Sequence, residues 1–506
     1  MQTVRLNHVG RRTWMIASIA AATSFALPRG EVLGQPTMGP SRAESKGLCR
    51  VRAELEVNGE IRLKSQLAES TARDPKSKAD RTAPIKAKST IDYDEHYETA
   101  SNMRACRSYQ HFHEANSEIQ IDRNVTKTTL REQCRDILRM GTDTGVVTIC
   151  PDNPLFSAEC DLVECPVNSM FLEQLLTDAE VNIADKWALP SETTCRLLNL
   201  DAVQEGKLVV CLIDADSKMA QLEITGSVTA SVRQVPTSVT VDGKAQLDRK
   251  TGTITWLAVN LEETREISEA EPGFRVMAQL RMRRAVIENM TSGLSLDGVA
   301  ARVGNVDAAS MLQFQSDLGY YRFLASRKWS TYRDNGEEAT LRFIVNNRVV
   351  AQCNVTNMID FEPGRQLSMD GFVADVKKAL GNNAVEIAES TEKLSNNKLR
   401  ILRVVSQGSV QGVDIRWIHY HISNDNGRRV VLAFTLNDAN TEVFSMEDEQ
   451  LVSSFELIDW PTKLDAKAIE SAAKTGTDQG TNPSAVNQPK KSEPKTSEQL
   501  RNKLSR

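Results

Sequence analysis

Ser238–Glu262 reads SVTVDGKAQLDRKTGTITWLAVNLE, two apolar-polar alternating runs on either side of Asp248-Arg249-Lys250-Thr251-Gly252. Alternation with period two marks a half-buried strand, and a five-residue turn between two such runs forces them antiparallel. The same pattern extends in both directions. Lys207–Ile213, Met219–Arg233 and Phe274–Arg283 read as further strands, with Asp214-Ala215-Asp216 as a second turn signal. Upstream, alternation covers Ser117–Ile121, Thr126–Ile137 and Gly145–Cys150. Val51, Ala53, Leu55 and Val57 precede Asn58-Gly59, with Ile61 and Leu63 beyond, which predicts a β-hairpin at Asn58-Gly59. Residues 68–87 are rich in Lys, Asp, Ser, Thr and Pro and predict a solvated loop. Asn168 or Ser169 can cap a helix carrying Met170, Phe171, Leu175 and Leu176, and Ser191–Leu200 suggests a second helix. The expectation is an α+β chain whose N-terminal antiparallel β-rich domain, residues 35–290, is a curled sheet or partial barrel with helices on one side.

Residues 284–317 are less patterned and read as a connection. Beyond them the order changes. Ser368 caps a predicted helix with Phe372, Val373, Val376 and Leu380 on one stripe and Gly381 at its end. Lys398–Gln407, Val413–Ser423 and Arg429–Leu436 read as strands, the last two joined by the hairpin turn Asn424-Asp425-Asn426-Gly427. Ser445 and Asp448 resemble a capping box for a helix carrying Leu451, Val452 and Phe455. Residues 461–506 hold nine Lys or Arg against five Asp or Glu and little apolar surface, the composition of a disordered tail.

Asp414-Ile415-Arg416-Trp417-Ile418-His419-Tyr420-His421, the Gly427–Val430 hairpin and Gln450–Phe455 resemble the closing half of a PsbP-like domain. Trp329 is similar to the tryptophan of that family's opening strand. The resemblance implies a sheet flanked by helices over residues 311–460, in a fold that serves accessory or binding roles. The chain as a whole resembles secreted planctomycete-type proteins that join a β-rich region to such a domain. Asp185-Lys186-Trp187 and Asp248–Gly252 are similar to segments of bacterial lipoprotein-like domains.

Export is expected from residues 1–34: Arg5, Arg11 and Arg12 precede the apolar run Trp14–Leu27, in the order of a signal peptide. That run is too short to span a bilayer, so no transmembrane anchor is expected after cleavage. The expected location is periplasmic or extracellular. Across 506 residues, 62 basic side chains against 67 acidic ones and 5% aromatic residues give neither the basic face nor the stacking platforms of a nucleic-acid binder. Nine cysteines include eight between Cys49 and Cys211 with no CxxC pair, which in an exported chain points to disulfides before metal. Cys353, isolated in an apolar run, reads as the unpaired, buried thiol.

Two His-x-His pairs, His111 with His113 and His419 with His421, place imidazoles on one face of a strand and are the weak metal candidates. Glu114, or His96 with Glu95 and Glu98, could complete the first site. The structural alternative makes them half-exposed strand residues. Gly408-Ser409-Val410-Gln411-Gly412 lacks the spacing of a nucleophile elbow and reads as a turn. No dinucleotide or phosphate loop occurs. No catalytic residue and no cofactor are assigned. The expected function is that of an exported non-enzymatic binding or accessory protein, with an envelope protein or apolar small ligand as partner. The alternatives are a metal-dependent exported enzyme and a structural envelope component.

Overall fold

The computed structural model describes residues 45–63, 81–143, 145–316 and 318–458. The expected signal peptide, the tail and the first part of the expected polar loop lie outside the described residues.

Twelve strands build the first sheet: β1 (Lys46–Leu63), β2 (Arg81–Glu98), β3 (Arg107–Ile121), β4 (Asn124–Thr129), β5 (Asp136–Thr142), β6 (Gly145–Ile149), β7 (Lys186–Ala188), β8 (Ala202–Ala215), β9 (Met219–Val232), β10 (Val235–Asp248), β11 (Thr253–Arg265) and β12 (Gly273–Val286). Their order is β6-β5-β3-β2-β1-β12-β11-β10-β9-β8-β7, with β4 on β3 and every pairing antiparallel. β8 to β12 run as a meander, and β1 returns against β12 to start the second half. The sheet stays open at β6 and β7 and does not close into a barrel. β10 alternates strictly between buried and exposed positions over most of its length, as its sequence requires.

Asn58-Gly59 makes no hairpin. β1 passes through it unbroken, with Gly59 opposite Ile85 on one side and Val276 on the other. The glycine serves close packing: a Cβ there would lie 2.4 Å from the Arg275 carbonyl oxygen. The described part of the expected polar loop, residues 81–87, is also strand, with Ile85 and Ala87 in the core.

One large core joins the strands to helices α1 (Ser157–Val163) and α2 (Ser191–Leu198) and a 3-10 helix over Ser169–Leu175. Asn168 caps that 3-10 helix as expected, its Oδ1 accepting from Met170 N at 3.3 Å. The opposite face is covered too. Ile137 belongs to the large core, whereas its neighbour Leu138 packs with Tyr109, Leu296 and Val299, the last two from α3 (Leu296–Ala300). Adjacent strand residues point to opposite faces, so helices are not confined to one side.

After α4 (Val306–Ala309) come β13 (Leu312–Ser316), β14 (Tyr321–Ala325), β15 (Trp329–Asp334), β16 (Glu338–Val345), β17 (Arg348–Asn357), α5 (Met369–Leu380), β18 (Ala384–Leu394), β19 (Arg400–Val410), β20 (Val413–Ser423), β21 (Arg429–Asn437), α6 (Thr441–Phe444), α7 (Glu447–Ser453) and β22 (Glu456–Leu457). Seven of these strands form a sheet of order β15-β16-β17-β21-β20-β19-β18, and β13-β14-β22 form a small one. One face of the seven-stranded sheet packs α6, α7 and the small sheet around Phe343, Phe434 and Phe444, and α5 covers Leu402 and Val404 on the other. Ser368 caps α5 through Gly371 N at 3.1 Å.

The Ser445–Asp448 capping box does not form. Ser445 takes φ 52° to close α6, and no side chain caps α7. Asp448 instead turns inward, accepting from the Tyr420 hydroxyl at 2.6 Å and lying 3.3 Å from Arg403. Arg327 links the second half to the first, donating to Thr148 O and to Cys160 Sγ at 3.2 Å, and to Ser310 O at the junction at 2.8 Å.

Candidate functional site

Between the two sheets lies a half-open cleft of about 1110 Å³. β6 supplies Val146 and Val147, β13 supplies Gln313 and Phe314, and β15 supplies Trp329, Ser330 and Thr331. β6, β13 and β15 are each the terminal strand of their sheet. The open edges of β6 and β15, with β13, whose own outer edge already pairs Gln313 with Leu155 and Phe156, therefore border one hollow, the geometry in which an extended segment can add to a sheet. Two tight turns close one side. Arg233 and Gln234 both have positive φ, as do Asn346 and Asn347, the signature of hairpin turns whose twist matches their strands. Gln234 Nε2 donates to Asn346 Oδ1 at 3.0 Å and ties one turn to the other.

The charges along this cleft are largely engaged already. Arg233 pairs with Glu271, Arg196 pairs with Glu192 and donates to Ser101 O at 2.7 Å, and Arg327 holds backbone from the first half. Arg139 differs: it is buried, lines the cleft, and its Nε has no partner. The wall contains no serine, cysteine or threonine hydrogen-bonded to a histidine, and none of the chain's paired histidines reaches it. What this arrangement offers is shape, strand edges and one unpartnered buried guanidinium nitrogen.

The first histidine pair sits elsewhere, on β3 where α3 and the segment before it cover the sheet. His111 and His113 are half-buried, with ring centroids 5.2 Å apart and edge to face. His111 Nδ1 is 2.8 Å from Asp136 Oδ1, which also accepts from the Tyr109 hydroxyl at 2.5 Å. His113 Nε2 approaches Asp94 Oδ1 at 3.2 Å, close enough for charge interaction but not aligned as a hydrogen bond. Asp94 in turn meets Arg50 at 3.3 Å and accepts from Thr291 N at 2.8 Å. Burial pushes the Asp94 carboxyl up, but the Thr291 hydrogen bonds and His113 more than offset this and hold it below its ordinary range. These contacts pin the segment before α3 to the sheet.

The proposed completing ligands do not converge on that pair. Glu95 is buried and accepts from Ser108 at 2.8 Å and Gln110 at 2.9 Å, while Glu114 accepts from Asn116 at 3.0 Å. Among the described residues no three His, Cys, Asp or Glu groups are placed to hold a metal ion.

His419 and His421 are buried, not half-exposed. They lie on the face of β20 that α5 covers, with the Phe372 ring 5.6 Å from that of His421. Burial lowers both to about 4, with Arg429 and Arg400 adding to the effect at His421. Among the described residues, His419 Nδ1, both ring nitrogens of His421, Ser406 Oγ and Ser423 Oγ have no hydrogen-bond partner.

No cysteine is bonded to another in the structure. Most are dispersed through the core as small hydrophobes. Cys353 is fully buried, as its sequence context indicated. Cys49 lies beside a buried ion pair that sequence reading missed, Arg284 with Glu173 at 2.6 Å, and burial pushes its thiol up to about 12 despite the guanidinium.

No family model matches the chain, and no curated protein matches it. Among solved structures, the cyanobacterial PsbP of Synechocystis is similar over 29% of this chain and 92% of its own, at 11% identity and TM-score 0.25. A structure from Bacteroides thetaiotaomicron is similar over 34% of this chain and 63% of that one, at 10% identity and TM-score 0.22. The translocator domain of the autotransporter NalP from Neisseria meningitidis matches 77% of this chain and 87% of its own, at 7% identity and TM-score 0.11. Structural neighbours thus include a PsbP-like protein over part of the chain, and the planctomycete-type likeness finds no support in these comparisons. At such identities and scores no function carries over from any of them.

Proposed function

We propose that this chain is an exported, non-enzymatic binding or accessory protein whose working surface is the cleft between its two sheets, and whose partner is an extended segment of an envelope protein. The observation that carries this reading is the meeting of three terminal strands, β6, β13 and β15, around one hollow of about 1110 Å³. Main-chain pairing to a strand edge supplies affinity, and flanking pockets supply selectivity. The volume slightly exceeds the usual range of small-ligand pockets and suits a few residues of polypeptide. An apolar small ligand is less well served, because the core of the first sheet is filled by α1, α2 and the 3-10 helix. The second half, residues 311–460, acts in this reading as a PsbP-like accessory module carrying one wall of the cleft.

Native mass spectrometry of protein purified from its own compartment tests the proposal. A co-purifying polypeptide whose cross-links map to β6 and β15, and which is lost in Val147→Lys with Thr331→Lys, is the expected result. Turnover on a substrate panel by a chain that retains no partner would overturn it.

A further inference from the structure

The fold brings Cys134 and Cys150 together. Cys134 ends a short 3-10 turn, Glu132–Cys134, just before β5, and Cys150 directly follows β6, the strand that pairs with β5. The Cys134 side chain lies against that of Cys150. Cys150 Sγ also lies 3.7 Å from Gln133 O, an oxygen that accepts from Asn153 Nδ2 at 3.1 Å. The residues flanking both sulfurs are therefore fixed to one another before any bond forms between them. Both side chains are buried.

We infer that Cys134 and Cys150 form an intramolecular disulfide, made as the chain folds in the presence of a disulfide oxidant. One of the two cysteines, as thiolate, attacks one sulfur of the incoming disulfide and expels a thiolate, leaving a mixed disulfide. The other then loses its proton and attacks the protein sulfur of that mixed disulfide, releasing the second thiol. In balance, two protein thiols become one disulfide, and the external disulfide is reduced to two thiols.

This bond would staple the turn before β5 to the end of β6, the terminal strand that borders the cleft. It rests on the pairing of β5 with β6 and stands whether or not the cleft binds a polypeptide.

The test is refolding of the full chain in a reduced and oxidised glutathione buffer, followed by alkylation, proteolysis and peptide mass mapping. The expected result is a peptide pair linked through Cys134 and Cys150, with the other seven cysteines alkylated. A melting temperature that falls on addition of dithiothreitol in the parent chain, but not in Cys134→Ser with Cys150→Ser, is expected alongside it. Alkylation of both residues after oxidative refolding, or linkage of either to a different cysteine, would overturn the inference. Should the double variant not fold, the mass map of the parent chain decides alone.

Discussion

Lowering the pH from 7 to 4.5 strips stability from the second half through His419 and His421, and the size of the effect follows from their burial. Folded, each has a pKa of about 4, against an ordinary value near 6.5. Between those values the unfolded chain binds protons that the folded chain does not, so stability is complete above the unfolded value and falls as pH descends toward the folded one. At about 1.4 kcal/mol per unit of pKa, the full effect is roughly 3 kcal/mol per histidine, and somewhat more than 2 kcal/mol of it is expressed at pH 4.5. Little offsets it locally: among the described residues three of the four ring nitrogens lack a partner, and burial with Arg400 and Arg429 outweighs the opposing effect of the His421 backbone. Urea midpoints at pH 7 and 4.5 measure the difference. In His419→Leu with His421→Leu the pH dependence should shrink by about 4 to 6 kcal/mol, and carboxylates shared by both proteins cancel in the comparison. Equal pH dependence in parent and variant would refute the reasoning, because it would mean that the imidazoles titrate normally and so are not sealed beneath α5.

Three other outcomes follow from packing. Glu173→Gln leaves the Arg284 guanidinium without its 2.6 Å partner in a fully buried site and should cost about 3 to 5 kcal/mol in a urea melt, with Glu173→Gln plus Arg284→Met costing less than the two single changes added together. Gly59→Val drives a side chain against the Arg275 carbonyl and Val276; a loss of about 1 to 3 kcal/mol is expected, whereas a turn at Asn58-Gly59 would leave room for the side chain. Asp448→Asn keeps the shape but removes the charge facing Arg403 and leaves one carboxamide oxygen where the carboxylate meets both Tyr420 and Arg403, for a loss of about 1 to 3 kcal/mol by thermal melt.

Much of the fold is legible in the sequence because period-two alternation is a direct image of a sheet with one buried face. Val413–Ser423 and the Ser368 cap fall where the residues place them. The false hairpin at Asn58-Gly59 came from weighing a turn dipeptide above phase. Val57, Gly59 and Ile61 keep one parity, which a continuous strand preserves and a two-residue turn would reverse. The Ser445–Asp448 spacing misled for another reason: the aspartate has a stronger claim on it from Tyr420 and Arg403, which no local pattern records.

The candidate site was the least legible part. Its walls come from β6, β13 and β15, separated by long stretches of chain, and only the sheet order reveals that all three are terminal strands. The histidine pairs drew notice by residue type, yet one pair flanks the Asp94 carboxylate that holds Thr291 to the first sheet and the other is sealed beneath α5. The contact of Cys134 with Cys150 likewise depends on the pairing of β5 with β6 and not on their spacing.

Hydrogen exchange of the Gly145–Ile149 and Trp329–Asp334 amides, measured on the purified chain with and without the polypeptide that accompanies it, tests the central claim most directly. A segment added to these strand edges should slow exchange at both. Unchanged exchange at both, with new protection around His111 and His113, would contradict the account.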